Sequence, residues 1–298
     1  MAYLVVAYLL TSRVLGMIIP TMKAEADVNR LMSEALGGRV VTTIGTFETI
    51  AIDRRGAELR TKQIMKIMLE RAKHVLGVEL VRSNIFTLSN DDKLSILDSF
   101  HLNMEGPMVA KDELTISIPS GCLSSGRAYK YFRPVLSIKK DGKWPYASDA
   151  DIKESDLQNE VQKAHPELAW IMSMPIPYRV KPFKLVCGVL NLDGLRETLT
   201  KERLEVILAD LSTAAALVAV LNRSTGFLEG KYSIPAEPTS VDKGQWKDFM
   251  INPEEFDPAT CPEPSVELVQ ALSSLQGLEF FAKTSPTEVA NFLRNQLR

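Results

Sequence analysis

Residues 165–176, HPELAWIMSMPI, and residues 187–193, CGVLNLD, decide the fold. The first stretch contains an extended run, Trp170 to Ile176, and the second closes a longer one, Phe183 to Asp193. Only a basic, proline-containing turn separates the two runs, so they read as hairpin-linked strands. The second is apolar enough to lie centrally in a sheet. Ser173 and Asn191 are polar interruptions, and alternation can aim both at one side of that sheet, toward a pocket. Buried, satisfied polar groups are the competing reading.

Working outward, Thr200–Asn222 carries Leu204, Ile207, Leu208, Leu211, Ala215, Val218 and Leu221 at helical spacing. Thr198 or Thr200 opens it, with Glu202 and Glu205 close behind. Upstream, Asp149–His165 is polar and helical in character, capped by Ser148 or Asp149. Val81–Leu88, Lys93–Phe100, Glu113–Ile118 and Pro134–Ile138 read as short extended segments, with turn material such as Ser89-Asn90-Asp91-Asp92 between them. The small-residue stretch Pro119–Gly126 leads into Arg127–Tyr131. Before all of these, Glu58–Leu76 is helical, with Ile64, Ile67, Met68, Val75 and Leu76 in one broad stripe.

The ends of the chain differ in character. Ala2–Leu10 is uninterruptedly apolar, Thr11-Ser12-Arg13 breaks the run, and Val14–Ile19 resumes it before Pro20. Residues 1–22 thus have about the 20-residue length that crosses a hydrocarbon core. Arg13 costs about 2.5–3.5 kcal/mol at mid-span, which the apolar residues around it can offset. The favoured expectation is a membrane helix or anchor, with the rest cytoplasmic because Lys23, Arg30, Arg39, Arg54 and Arg55 follow it. A buried or oligomerising helix and a processed targeting segment are the alternatives, the last weakened by the missing leading cation and cleavage pattern. Residues 23–56 form a connector: a short helix Lys23–Leu36, then the β-branched Val40–Ile52. Residues 223–264 read as a proline-rich linker, partly disordered or draped over a surface, with Trp246, Phe249 and Phe256 as scattered anchors. In the tail, residues 265–298, Val266–Phe281 and Glu288–Leu297 are amphipathic. Each is too short to be a stable lone helix, so they should pack on the protein, a partner or a membrane.

Two stretches resemble the GAF family. One is residues 165–176 followed by 187–193, similar to that family's S-x-P-I/V strand and its G-V-L-x-L/V-D strand before a terminal helix. The other is residues 118–128, IPSGCLSSGRA, ahead of Arg133-Pro134-Val135, similar to its glycine-punctuated entry to a helix. Over residues 57–222 the resemblance implies an α+β fold with a central antiparallel sheet of about six strands. The terminal helices, Glu58–Leu76 and Thr200–Asn222, would pack on one face and could also mediate a homodimer. Loops and a short helix would cover a ligand pocket on the other face. Trp144 and Tyr146 fall in the segment that typically covers such a pocket, and their amphipathic rings suit a planar ligand. Core or lid packing explains them as well. Arg127, near a helix start, could pair with an anionic ligand group, with a surface arginine as the plainer reading.

Catalytic signatures are missing. There is no phosphate-binding glycine loop, no nucleophile elbow and no Cys/His pair with an orienting partner. GAF-like methionine sulfoxide reductases need a cysteine where this chain has Ser125, and Cys122, three residues earlier, is better read as an inert thiol. The cyclic-nucleotide and bilin-attachment signatures of the family are also missing. Net charge is −2 with no strongly basic half, which argues against nucleic-acid binding. Three cysteines and three scattered histidines form no disulfide framework and no metal spacing. Arg179, Lys181 and Lys184 in one turn, and Lys139, Lys140 and Lys143 in another, could meet an anionic partner or lipid headgroups, although solvated turns explain them too. The expected protein is a membrane-associated, non-enzymatic sensor with no metal or cofactor and an unidentified small-molecule ligand. It would signal through a homodimer or an output partner. The alternative is a ligand-free GAF scaffold.

Overall fold

Strand β1 (Val81–Leu88) is buried at all eight positions, polar ones included, which requires cover on both faces of the sheet that holds it. The computed structural model describes residues 54–77, 81–89, 91–96, 100, 102–103, 112–139, 144, 154–164, 166–180, 183–194, 200–228, 230, 232–234, 263–275 and 277–297. All of them fall in one unit, Thr49–Arg298. The expectations for residues 1–53, for Tyr146 and for residues 235–262 lie outside the described residues.

The chain order is α1 (Arg54–Leu76), β1, β2 (Lys93–Ile96), β3 (Leu102–Asn103), β4 (Ser117–Pro119), α2 (Leu123–Tyr131), β5 (Val135–Ile138), α3 (Glu154–Gln162), β6 (Trp170–Val180), β7 (Phe183–Gly194), α4 (Lys201–Thr225), α5 (Val266–Leu272) and α6 (Pro286–Leu297). Six strands run β4-β2-β1-β7-β6-β5, and the short β3 pairs with β1 off that path. Every pairing is antiparallel. The structure is α+β, as the resemblance implied, with one small strand more than the expected six.

Two extended segments end differently from the sequence expectation. β2 stops at Ile96, so Phe100 is not part of it. Glu113–Thr115 forms a 3-10 turn rather than opening a strand. The carbonyl of Asp112 accepts from both the Thr115 N–H (3.0 Å) and its hydroxyl (2.7 Å), which closes the turn before β4 begins.

β6 and β7 form the long central hairpin, with Ser173 opposite Asn191 and Trp170 opposite Gly194. Two prolines, Pro175 and Pro177, fall in β6 beyond Ser173, where its pairing with β5 has ended. A missing N–H there breaks no bond to β5. Gly188 lets β1 come close: a Cβ at that position would sit 2.8 Å from the Phe86 carbonyl oxygen.

Each face of the sheet has its own cover. α1 and α4 pack together, and α4 lies along β6 and β7. Ile64, Met65, Met68, Leu69 and Leu76 of α1 and Ile207, Leu211, Leu217 and Val218 of α4 are all buried. By alternation Met172, Met174, Leu190 and Leu192 face these helices. α2 covers part of the opposite face, with a core of Phe86, Leu94, Ile118, Cys122, Tyr129, Phe132, Val135 and Val189. α2 can approach this closely because of Gly126, where a Cβ would be 2.4 Å from the Pro119 carbonyl oxygen.

The described parts of the C-terminal region are folded onto the domain. Phe227 and Leu228 are buried, Ser233 bridges to Val186, and Tyr232 stacks on Tyr178 at 4.6 Å. α5 packs on α1 and α6 on α4, so of the surfaces expected for the tail, the protein itself is the one used. α4 is long and apolar enough to cross a membrane, but 78% of its apolar window is buried within the chain.

Candidate functional site

On the α2 side, a pocket opens between the sheet and the segments that cover it. It spans about 650 Å³ including the solvent space at its mouth, of which about 60 Å³ is cavity proper. A single water needs roughly 10–15 Å³ on the same measure, so the cavity proper holds several waters or a small organic group. The floor consists of Asn84 and Phe86 (β1), Ile96 (β2), Ser137 (β5), Ile171 (β6), and Asn191 and Asp193 (β7). The roof consists of Glu113, Ile116 and Ile118, the first turn of α2 from Leu123 to Ser125, Glu160 and Val161 at the end of α3, Ala164 just after it, Leu168, and Trp144. Most of this wall is apolar. Leu123 holds a φ of 51°, a conformation that non-glycine residues adopt only when their surroundings enforce it.

The polar groups lie in two adjacent rows of the sheet register. In the first, Asn84 lies opposite Asn191 and Asn191 opposite Ser173. The Asn191 amide donates to Asn84 Oδ1 at 2.8 Å, and Asn191 Oδ1 accepts from the Ser125 hydroxyl at 3.1 Å. Ser125 and Ser173 are 3.3 Å apart. Because the Ser125 proton is committed to Asn191, Ser173 is the donor of that pair. This chain links α2 to three strands.

Two register positions away on the same face, Arg82 lies opposite Asp193. Its Nε and Nη2 donate to the two oxygens of Asp193 at 3.1 and 3.0 Å. Nη1 donates to Glu113 Oε2 at 3.0 Å, and Nη2 lies 2.8 Å from Glu113 Oε1. All three residues are at most 3% exposed. Burial works against the charge on Arg82, but the two carboxylates outweigh it and hold the guanidinium well above its ordinary value. Asp193, expected to shape the turn before the last helix, is thus half of a buried fork. A third carboxylate, Glu160, accepts from the Ser117 N–H at 2.8 Å and from Lys163 Nζ at 2.7 and 2.8 Å.

The structure separates the site residues expected from the sequence. Asn191 and Trp144 line the pocket, and Ser173 lies behind the wall in the amide chain. Tyr146 is outside the described residues. Arg127 is on α2 but does not line the pocket, and at 2% exposure it is not the surface arginine of the plainer reading. Lys139 donates to the Pro166 carbonyl at 2.7 Å. Residues missed by the sequence reading are Arg82, Asn84, Glu113 and Glu160. A charge at the second position of an otherwise β-forming run, as in VRSNIFTL, signals a buried partner, but nothing local names Glu113 or Asp193 as that partner.

Neither described cysteine is placed as a nucleophile. Cys122 is fully buried in the α2-side core. Burial pushes the Cys187 thiol up to about 12, and its S–H points to the Ile176 carbonyl at 3.5 Å.

No family model and no curated protein matches the sequence. Solved structures similar to this chain include three GAF domains. The blue-light absorbing form of the Thermosynechococcus elongatus PixJ GAF domain is 13% identical, with 56% of this chain and 89% of that one covered and a TM-score of 0.32. The GAF domain of an Acinetobacter phosphoenolpyruvate-protein phosphotransferase is 14% identical, with 67% and 92% covered and a TM-score of 0.31. The phycoerythrobilin-bound GAF domain of a cyanobacterial phytochrome is 11% identical, with 57% and 96% covered and a TM-score of 0.29. At this distance no residue role transfers from them.

Proposed function

We propose that this chain is a non-enzymatic, GAF-like sensor that binds a small molecule in the pocket between the sheet and the α2–α3 side. One observation carries the reading: one face of the sheet is filled by α1 and α4, while the other keeps a cavity into which buried polar side chains converge. In a scaffold without a ligand, methionines and aromatic rings would fill that space. Met172 and Met174 instead face α1 and α4, and Trp144 forms part of the wall.

Binding would act on the segments that close the pocket. α2 is tied to β6 and β7 through Ser125, and α3 reaches β4 through Glu160. A ligand that favours one arrangement of these segments shifts their population by its differential affinity alone. Output through a second copy or a partner belongs to the same proposal. With α5 on α1 and α6 on α4, a homodimer would use what those helices leave open, such as Leu59 and Val206. Residues 1–22 would hold the protein at a membrane with this domain in the cytoplasm. Their deletion is expected to release the chain into the soluble fraction, and an intact chain that is soluble without detergent would refute the anchor.

Ala164 follows α3 and lines the pocket where it meets the α2-side core, so a larger side chain there occupies the cavity. Mass spectrometry of small molecules extracted from the purified full chain is expected to show a retained compound that Ala164→Trp loses while still unfolding cooperatively. Equal retention by the variant would rule out this pocket as the binding site.

A further inference from the structure

Resting on the pocket assigned above, the charge arrangement around it points to a class of ligand. We infer that the pocket takes a small organic cation, a primary ammonium or amidinium carried on an apolar body. Among the described residues three carboxylates line it, Glu113, Asp193 and Glu160, and no lysine, arginine or histidine does. The cations that pair with them sit behind or beside the wall. Arg82 is shared by Glu113 and Asp193, one positive charge against two negative ones, and Lys163 is held by Glu160. Counted over the described residues, the cavity therefore faces acceptor oxygens with one negative charge in excess, inside a wall that is largely apolar and screens charge poorly.

The serines give a second, independent indication that a ligand group belongs here. Ser124 and Ser137 are only 4% and 9% exposed, and both line the cavity. Among the described residues neither hydroxyl has a hydrogen-bond partner. Both oxygens are reached from the cavity rather than sealed in the core, so they are placed to meet a ligand's polar atoms. Serine hydroxyls and the Asn84 amide can serve donors or acceptors alike, and the carboxylates decide the sign of the charge. An anionic ligand would meet no cation among the described residues of the wall. Phe86, Ile116, Ile171 and Trp144 supply the apolar surface for the body of the ligand, and an indole face adds attraction for a cation.

Three matched sets of fragments on phenyl and cyclohexyl rings test this, bearing an aminomethyl, a carboxamide or a carboxylate group. Binding to the full chain is measured by ligand-observed NMR, with Ala164→Trp as the control for location. The ammonium members are expected to bind roughly tenfold or more tighter than the carboxylates. Binding should be lost in Ala164→Trp, and Glu160→Gln should lower the ratio of ammonium to carboxamide affinity by about threefold. A merely structural role for Glu160 would change both affinities together and leave that ratio fixed. If carboxylates bind as well as ammonium compounds and Ala164→Trp abolishes it, the pocket stands and the cation preference is overturned. If no set binds, or if binding survives Ala164→Trp, the pocket itself is overturned.

Discussion

Arg82 shows how one side chain organises a site. A guanidinium buried in a strand needs fixed carboxylates around it, and here they arrive from β7 and from the 3-10 turn before β4. Removing it leaves two carboxylates buried against each other. Arg82→Met is expected to destabilise the chain by about 3–5 kcal/mol, measured by denaturant unfolding. Replacing all three residues with apolar ones of similar volume should be much milder, because the desolvation of charge disappears with the charges. A single Arg82→Met variant as stable as the parent would mean that the cluster is not closed as described.

At the scale of elements, the tail is fastened to the domain by a polar contact as well as by apolar packing. Ser265 precedes α5, and its hydroxyl accepts from the Leu268 N–H at 3.2 Å while donating to Asp210 Oδ2 at 2.9 Å. The Ser265 backbone N–H donates to Asp210 Oδ1 at 2.9 Å, and Arg71 of α1 stands 3.7 Å from the same carboxylate. One serine thereby caps α5 and joins it to α4. Ser265→Ala should lose about 1–2 kcal/mol, since both a helix cap and a hydrogen bond to a carboxylate disappear. Hydrogen exchange should report faster opening of α5 with the sheet unaffected. Unchanged protection in α5 would show that apolar packing of Leu268, Val269 and Leu272 suffices to hold it.

At the scale of the whole molecule, the same carboxylate couples stability to pH. Burial raises Asp210 above its ordinary value of 3.8, against the opposing pull of the Ser265 N–H and hydroxyl and of Arg71. The folded state therefore holds this proton more tightly than the unfolded chain does. Its contribution to stability is greatest below 3.8 and declines as pH rises through the interval up to the raised folded value. Asp210→Asn has no such dependence, so the melting temperature of the variant relative to the parent should climb as pH rises above 3.8 and then level off. A difference that is flat or falls with pH would refute the assignment. The sequence alone determined the closing hairpin and the covering helices, though not the 3-10 turn at Glu113–Thr115, because apolar periodicity and turn residues act over a few neighbours. Residue pairings lay beyond it: Arg82 meets Glu113 and Asp193 across 31 and 111 positions, and Ser265 meets Asp210 across 55. It also left open that the tail covers α1 and α4 and that Arg127 lies off the pocket. Only the tertiary structure decided these points, because a charge records in its sequence neighbourhood that it needs a partner but not which distant residue the register will bring to it.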